Sequence, residues 1–199
     1  MLPEIKALTA EALARANERM REERLTRQSV FQGRLLHLVH DTVRLPSGRE
    51  GSRELVLHPG AACIVPEFDD GRLLLELQWR YPLGRVMVEF PAGKLSPGEN
   101  PLVCAQRELK EETGFWARSW HTLGHLHQAI AFCDEVIHIF HADGLVAGEA
   151  SPDEDELLEL YAATPEEIEQ MIRDNLITDT KTVTAYCRWK LLRKPSFVP

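Results

Sequence analysis

The chain has 199 residues, 44% of them hydrophobic and 27% charged, with a formal net charge of −8. Such a composition belongs to a globular protein, one domain with room for an appendage, and not to a fibrous, disordered or membrane chain. The negative balance repels a nucleic-acid backbone and no Lys- or Arg-rich stripe offsets it, so no nucleic acid polymer is expected as partner, whereas a small anion can still be held where arginines or metal ions reverse the local field. With no apolar run long enough to span a bilayer and no signal-peptide core, no membrane contact and a cytoplasmic location are expected. Cys63, Cys104, Cys133 and Cys187 include no C-x-x-C pair and are expected to be reduced, buried small residues.

In chain order, residues 3–28 are dense in Glu and Arg, and Ile5, Leu8, Ala12 and Ala16 recur at helical spacing, which predicts one long helix with a narrow apolar stripe, a solvated or partner-contacting arm. Residues 30–58 hold two β-rich runs around Pro46, Ser47 and Gly48, which predict a hairpin. Two strands follow at 61–66 and 73–79, joined by the turn signal Asp69, Asp70, Gly71, and a short strand at 86–90 stops at Pro91. Asn100 as N-cap, Pro101 at the first helical position and Gly114 just past the end bound a helix over 101–113. Further β-like runs lie at 121–127, 136–142 and 157–162. Thr164, Pro165 and Glu167 form a capping-box pattern opening a helix over 165–171, and a last helix covers 180–192. Short strands broken by one central helix and closed by helices predict an α/β sandwich with a mixed sheet. His125, His127, His138 and His141 read as ordinary polar or core residues.

On the 101–113 helix, Leu102, Ala105, Leu109 and Thr113 share the core side, while Glu108, Glu111 and Glu112 project together from the adjacent side. Glu108 and Glu112 are i, i+4 neighbours, close enough to share one cation. Like charges at that spacing, near a helix C-terminus, cost a few tenths to about 1 kcal/mol each, so something must compensate. For a bare E-x-x-E-E the bland reading is a solvated acidic face softened by Arg107 and Lys110. The wider spacing reverses that preference. Gly93, Glu99, Arg107, Glu108, Leu109, Glu111, Glu112, Gly114 and Phe115 fall on the pattern G-x5-E-x7-R-E-U-x-E-E-x-G-U, U being bulky and apolar. Here the chain resembles the Nudix hydrolase family, matching its box at every fixed position.

The resemblance covers roughly residues 28–195 and extends to Ser52-Arg53-Glu54, Gln78-Trp79-Arg80 and Val88-Glu89-Phe90-Pro91-Ala92-Gly93-Lys94, which resemble the ADP-ribose pyrophosphatase branch. It implies a Nudix α/β/α sandwich over 59–199, preceded by an arm, 1–58, whose hairpin is exchanged within a homodimer. It also implies Mg2+-dependent hydrolysis, with Mn2+ able to substitute, of the diphosphate linkage in a nucleoside diphosphate compound, ADP-ribose giving AMP and ribose 5-phosphate. Glu108, Glu112 and the Ala92 carbonyl would hold the metal, with Glu111 and Glu99 supporting and Arg107 keeping the box glutamates in register. Arg53, Arg80 and Glu89 would serve substrate binding, since guanidinium grips phosphate oxygens in a bidentate way. An acidic loop over 151–156 lies where this branch carries its catalytic base, making Glu154 and Glu156 the candidates. One departure stands out: Ile130 occupies the place of a proline common in members that prefer ADP-ribose. GDP-mannose or another nucleotide sugar is therefore the competing substrate, and a catalytically silent nucleotide-binding module is the competing class.

Overall fold

The computed structural model describes residues 8–151 and 157–193, in two compact units. The first holds the chain up to His58 together with Ala131–Asp134, and the second holds the remainder. In the first unit, Thr9 caps helix α1 (Ala10–Met20) by accepting a hydrogen bond from the Ala12 N–H at 3.1 Å, and no residue of α1 is buried. The single helix expected over 3–28 is corrected. It stops at Met20, and Glu23–Gln32 is strand β1, antiparallel to β2 (His37–Arg44), which pairs in turn with β3 (Glu50–Leu57). The hairpin is thus the far side of a three-stranded sheet. Leu25, Thr26, Val30 and Phe31 favour a pleated surface. Long-range ion pairs complete the choice: Arg27 grips Asp41 with two hydrogen bonds, 2.8 and 2.7 Å, and Arg44 meets Glu23 at 2.9 Å. The reversal after β2 falls where Pro46, Ser47 and Gly48 placed it, with Gly48 at a φ of 83°. Residues Ala131–Asp134 attach to β3 through Val56 N–H to Phe132 O at 2.8 Å and His58 N–H to Asp134 Oδ1 at 2.8 Å.

The second unit is built around β4 (Ala61–Pro66). Its sequence, AACIVP, offers no polar side chain, and all six residues are buried, as expected of a strand covered on both faces. β5 (Leu73–Arg80), β6 (Arg85–Glu89), β7 (Ala92–Lys94), β8 (Phe115–Leu126), β9 (Ile137–Ala147) and β10 (Leu158–Ala163) complete the strands. They form two sheets: β7-β4-β9-β8, mixed because β4 and β9 run parallel, and β10-β5-β6, antiparallel throughout. The pleat of β4 divides the core. Ala62 and Ile64 pack with Cys104, Ala105 and Leu109 of helix α2 (Pro101–Thr113). Ala61, Cys63 and Val65 pack with Leu73 and Leu75 of the second sheet, with Ile168 of α3 (Pro165–Arg173), and with Ala185, Tyr186 and Trp189 of α4 (Thr180–Leu192).

Thr164 and Glu167 form a complete capping box for α3, the two reciprocal bonds being 3.2 and 2.7 Å. The three-residue β7 was not foreseen, and β8 begins at Phe115, well before the expected 121. All four cysteines are free, but only Cys63 and Cys104 are buried; Cys133 is partly covered and Cys187 exposed, which corrects half of that expectation. No helix among the described residues is long and apolar enough to cross a membrane.

Candidate active site

Local chemistry marks both ends of α2. Asn100 Oδ1 accepts from the Leu102 N–H at 2.9 Å, Pro101 has no N–H to leave unsatisfied, and Gly114 closes the helix in the left-handed region at φ 73°. Burial of Cys104, Ala105, Leu109 and Thr113 then sets the rotation of the helix. Arg107, Glu108 and Glu111 are left along its rim, and Glu112 sits at the edge of the core, 6% exposed.

Strand β7 lies beside this rim. The Ala92 N–H donates to Glu112 Oε2 at 3.1 Å. At Gly93, a Cβ atom would fall 1.9 Å from both Cδ and Oε1 of Glu108, so any side chain would occupy the space of the carboxylate itself. Arg107 joins the parts. Its Nε and Nη2 donate to the two oxygens of Glu99 at 3.0 and 3.1 Å, Nη1 to Glu108 at 2.7 Å and Glu111 at 2.9 Å, and Nη2 also to the Lys94 carbonyl at 3.2 Å. These bonds hold the Glu99 carboxyl down at about 2 and push the guanidinium further up. Burial, helped by the charge of Glu108, raises the Cys104 thiol to about 12, which rules it out as a nucleophile near neutral pH.

One guanidinium therefore organises Glu99, Glu108 and Glu111, with Glu112 beside them. An all-oxygen donor set rich in carboxylate suits a hard divalent cation. Glu108, Glu112 and the Ala92 carbonyl are the groups that would hold one.

A second ionic cluster lies where β6 meets α4. Arg80 donates to both oxygens of Glu89 at 2.7 Å each, and Lys181 donates to Glu89 from the other side and to Asp179 at 3.0 Å. Glu89 is 2% exposed and Arg80 38%. Burial pushes Glu89 up, but Arg80 and Lys181 outweigh it and hold the carboxyl below its ordinary value. Asp179, the N-cap of α4, accepts from Thr182 N–H at 2.9 Å and Thr182 Oγ1 at 2.6 Å, and Thr182 Oγ1 accepts from Phe90 N–H at 3.0 Å. The start of α4 thereby pins Phe90, just past the end of β6 and two residues before Ala92. Sequence reasoning missed Lys181 and Thr182. The one local signal was Asp179, a favoured N-cap residue just ahead of the predicted helix.

The other expected site residues are more scattered. Arg53, in the first unit, is ion-paired with Glu22 and donates to the Ser52 carbonyl at 2.7 Å. Glu154 and Glu156 lie outside the described residues. The chain approaching them is tied to the end of α2, with Gly148 N–H to Gly114 O at 2.8 Å and Ser151 N–H to Glu111 O at 3.0 Å. Ile130 is 82% exposed.

Comparison with known proteins matches residues 56–185 to the NUDIX domain family. The chain is 40% identical over 166 residues to a methanol dehydrogenase activator of Bacillus methanolicus, covering 82% of this chain and 90% of that one. It is 36% identical over 168 residues to an ADP-ribose pyrophosphatase of Bacillus subtilis, covering 83% and 91% respectively. The crystal structure of an ADP compounds hydrolase shares the fold, with a TM-score of 0.77 at 24% identity, covering 85% of this chain and 92% of that one. The chain belongs to the Nudix family and is a Nudix hydrolase of the ADP-ribose pyrophosphatase-like kind.

Proposed function

We propose that the protein hydrolyses ADP-ribose to AMP and ribose 5-phosphate in a divalent-metal-dependent reaction, Mg2+ serving as the physiological ion and Mn2+ able to replace it. The observation that carries this reading is the carboxylate cup around Gly93, where Arg107 holds Glu108 and the Ala92 N–H holds Glu112. The relatives named ADP-ribose pyrophosphatase in Bacillus subtilis and Mycobacterium tuberculosis, 36% and 39% identical, favour ADP-ribose over other nucleoside diphosphates. A metal in the cup would neutralise the diphosphate, polarise phosphorus and lower the pKa of a bound water.

The residues then divide the work. Glu108, Glu112 and the Ala92 carbonyl hold the cation, Glu111 and Glu99 keep Arg107 in place, and Glu154 or Glu156 takes the proton of the attacking water. Arg80 faces the substrate and Glu89 is its positioning residue, because a carboxylate with both oxygens engaged by one guanidinium fixes that guanidinium's plane. Arg53 supplies a second guanidinium, from the other subunit of a homodimer in which the segment up to His58 is exchanged. That segment presents Val30, Phe31, Leu35 and Leu36 at least half exposed, an apolar set that a subunit interface would cover. Light scattering should give twice the 22.6 kDa of one chain; a fully active preparation of single-chain mass would remove the dimer from the proposal.

Substrate choice is tested with purified enzyme and ADP-ribose, GDP-mannose, NADH and diadenosine polyphosphates, each with Mg2+, measuring kcat/KM and products. ADP-ribose should give the highest kcat/KM, and excess chelator should abolish turnover. Preference for GDP-mannose would overturn the substrate. Hydrolysis of none of them would favour a nucleotide-binding module.

A further inference from the structure

On the sheet that carries β8 and β9, two histidines outside the glutamate cup face each other across the ladder. His121 and His141 are register partners with rings stacked at 5.7 Å, and Asp143 follows His141 by two residues, on the same face of β9. His121 Nε2 lies 3.1 Å from Asp143 Oδ2, His141 Nδ1 lies 3.9 Å from the same oxygen, and one ligand atom from each residue falls within 4.8 Å of the others.

His141 is also oriented from behind. Its Nε2 lies 2.8 Å from Glu67 Oε2, and Glu67 in turn accepts from Trp189 Nε1 at 3.1 Å and from Arg193 at 2.8 Å. With Trp189 and Arg193 both donating to it, Glu67 serves His141 as an acceptor. That places the His141 proton on Nε2 when the ring is neutral and leaves the Nδ1 lone pair aimed at the Asp143 carboxylate. Two electron-rich atoms then face each other at 3.9 Å, an arrangement that a cation between them relieves. A carboxylate behind a histidine is also the usual means of fixing the tautomer and ring plane of a metal ligand.

We propose that His121, His141 and Asp143 form a second cation site, selective for an imidazole-seeking divalent ion of the Zn2+ class and separate from the oxygen-only glutamate cup. Tetrahedral Zn2+ with bonds near 2.0–2.2 Å spaces its ligand atoms roughly 3.3–3.6 Å apart. The 3.1 and 3.9 Å separations bracket that range, and His121, with a side chain 61% exposed, can turn to close the set. Two imidazoles distinguish the site from the cup, because imidazole suits Zn2+, Ni2+ and Cu2+ whereas carboxylate and carbonyl oxygen suit Mg2+ and Mn2+. Three protein ligands leave the fourth position to water. The bound ion would staple β8 to β9 and, through Glu67 and Trp189, brace α4 against the end of β4.

The test is equilibrium dialysis of the full-length protein against micromolar Zn2+ with millimolar Mg2+ present to saturate the cup, with metal content and melting temperature as readouts. Wild type and Glu112→Gln should each retain one tightly held Zn2+ per chain and melt at higher temperature with Zn2+ than without. His121→Ala and Asp143→Asn, both at accessible side chains, should weaken Zn2+ binding at least about 10-fold and lose that thermal shift. Circular dichroism identifies any variant that fails to fold, and the other then decides. Equal Zn2+ retention in both folded variants, or complete displacement of Zn2+ by Mg2+ in wild type, would overturn the site. Neither readout depends on turnover, so the result stands apart from the identity of the substrate.

Discussion

The clusters centred on Arg107 and on Glu89 are built from the same residue types and come out as opposites. Around Arg107, Glu99, Glu108 and Glu111 share one guanidinium. Around Glu89, one carboxylate takes both Arg80 and Lys181. Three carboxylates around one guanidinium at a partly open rim suit a further cation, whereas Arg80 and Lys181, set against Glu89 and Asp179, balance the charge of a buried carboxylate. Ion pairs alone do not mark a metal site; the balance of charge and its exposure do. The clusters are also neighbours along the chain, since Glu89 ends β6 and Ala92 begins β7. The buried cluster is therefore the footing of the open one.

The largest test of this contrast removes the shared anion of the buried cluster. Glu89→Leu leaves Lys181, a side chain only 11% exposed, without its main counter-charge, and should lower stability by about 3–5 kcal/mol in denaturant unfolding. A loss under about 1 kcal/mol would mean that the cluster is not the structural footing described. In the cup the corresponding change should act on chemistry instead. Glu112→Gln keeps an oxygen to accept from the Ala92 N–H, so metal-free stability should stay within about 1 kcal/mol of wild type, while kcat falls at least about 10²-fold, near 2.7 kcal/mol. An active variant, or one that simply unfolds, would show the role to be misassigned.

Intermediate in size is the response to Gly93→Ala. The new methyl group must displace the Glu108 carboxylate, whose atoms lie 1.9 Å from the Cβ position, so Mg2+ should bind more weakly and kcat fall about 10- to 10²-fold. Unaltered Mg2+ dependence would mean that Glu108 is not a ligand. This glycine also shows what was legible in sequence. The α2 boundaries were, because Asn100, Pro101 and Gly114 act through bonds within their own turn. β1 was not, since Glu and Arg at 22–24 suit a solvated helix until Arg44, 21 residues beyond Glu23, pairs with it. Lys181 was hidden for the same reason at longer range, as its partner Glu89 lies in a different sheet strand and only the fold unites them. β7, with the sequence Ala-Gly-Lys, carries no strand signal of its own and exists through its pairing with Ala61–Cys63 in β4.

The smallest effect concerns Glu99, which separates charge from shape within the cup. Arg107 and the Ser96 N–H hold its carboxyl at about 2 in the folded protein, against an ordinary value of 4.5. A depressed folded value means that ionised Glu99 stabilises the fold, and that this contribution is fully present above about 4.5 and disappears as pH falls toward 2. Glu99→Gln keeps a similar shape and loses only the titration. Denaturant midpoints of wild type and Glu99→Gln, measured without metal, should therefore differ most near neutral pH, converge below about 4.5 and coincide near 2. A gap that stays constant with pH would assign Glu99 a packing role, leaving Arg107 to be ordered by Glu108, Glu111 and the Lys94 carbonyl, whereas a closing gap makes Glu99 the fixed anchor from which Arg107 sets the two carboxylates.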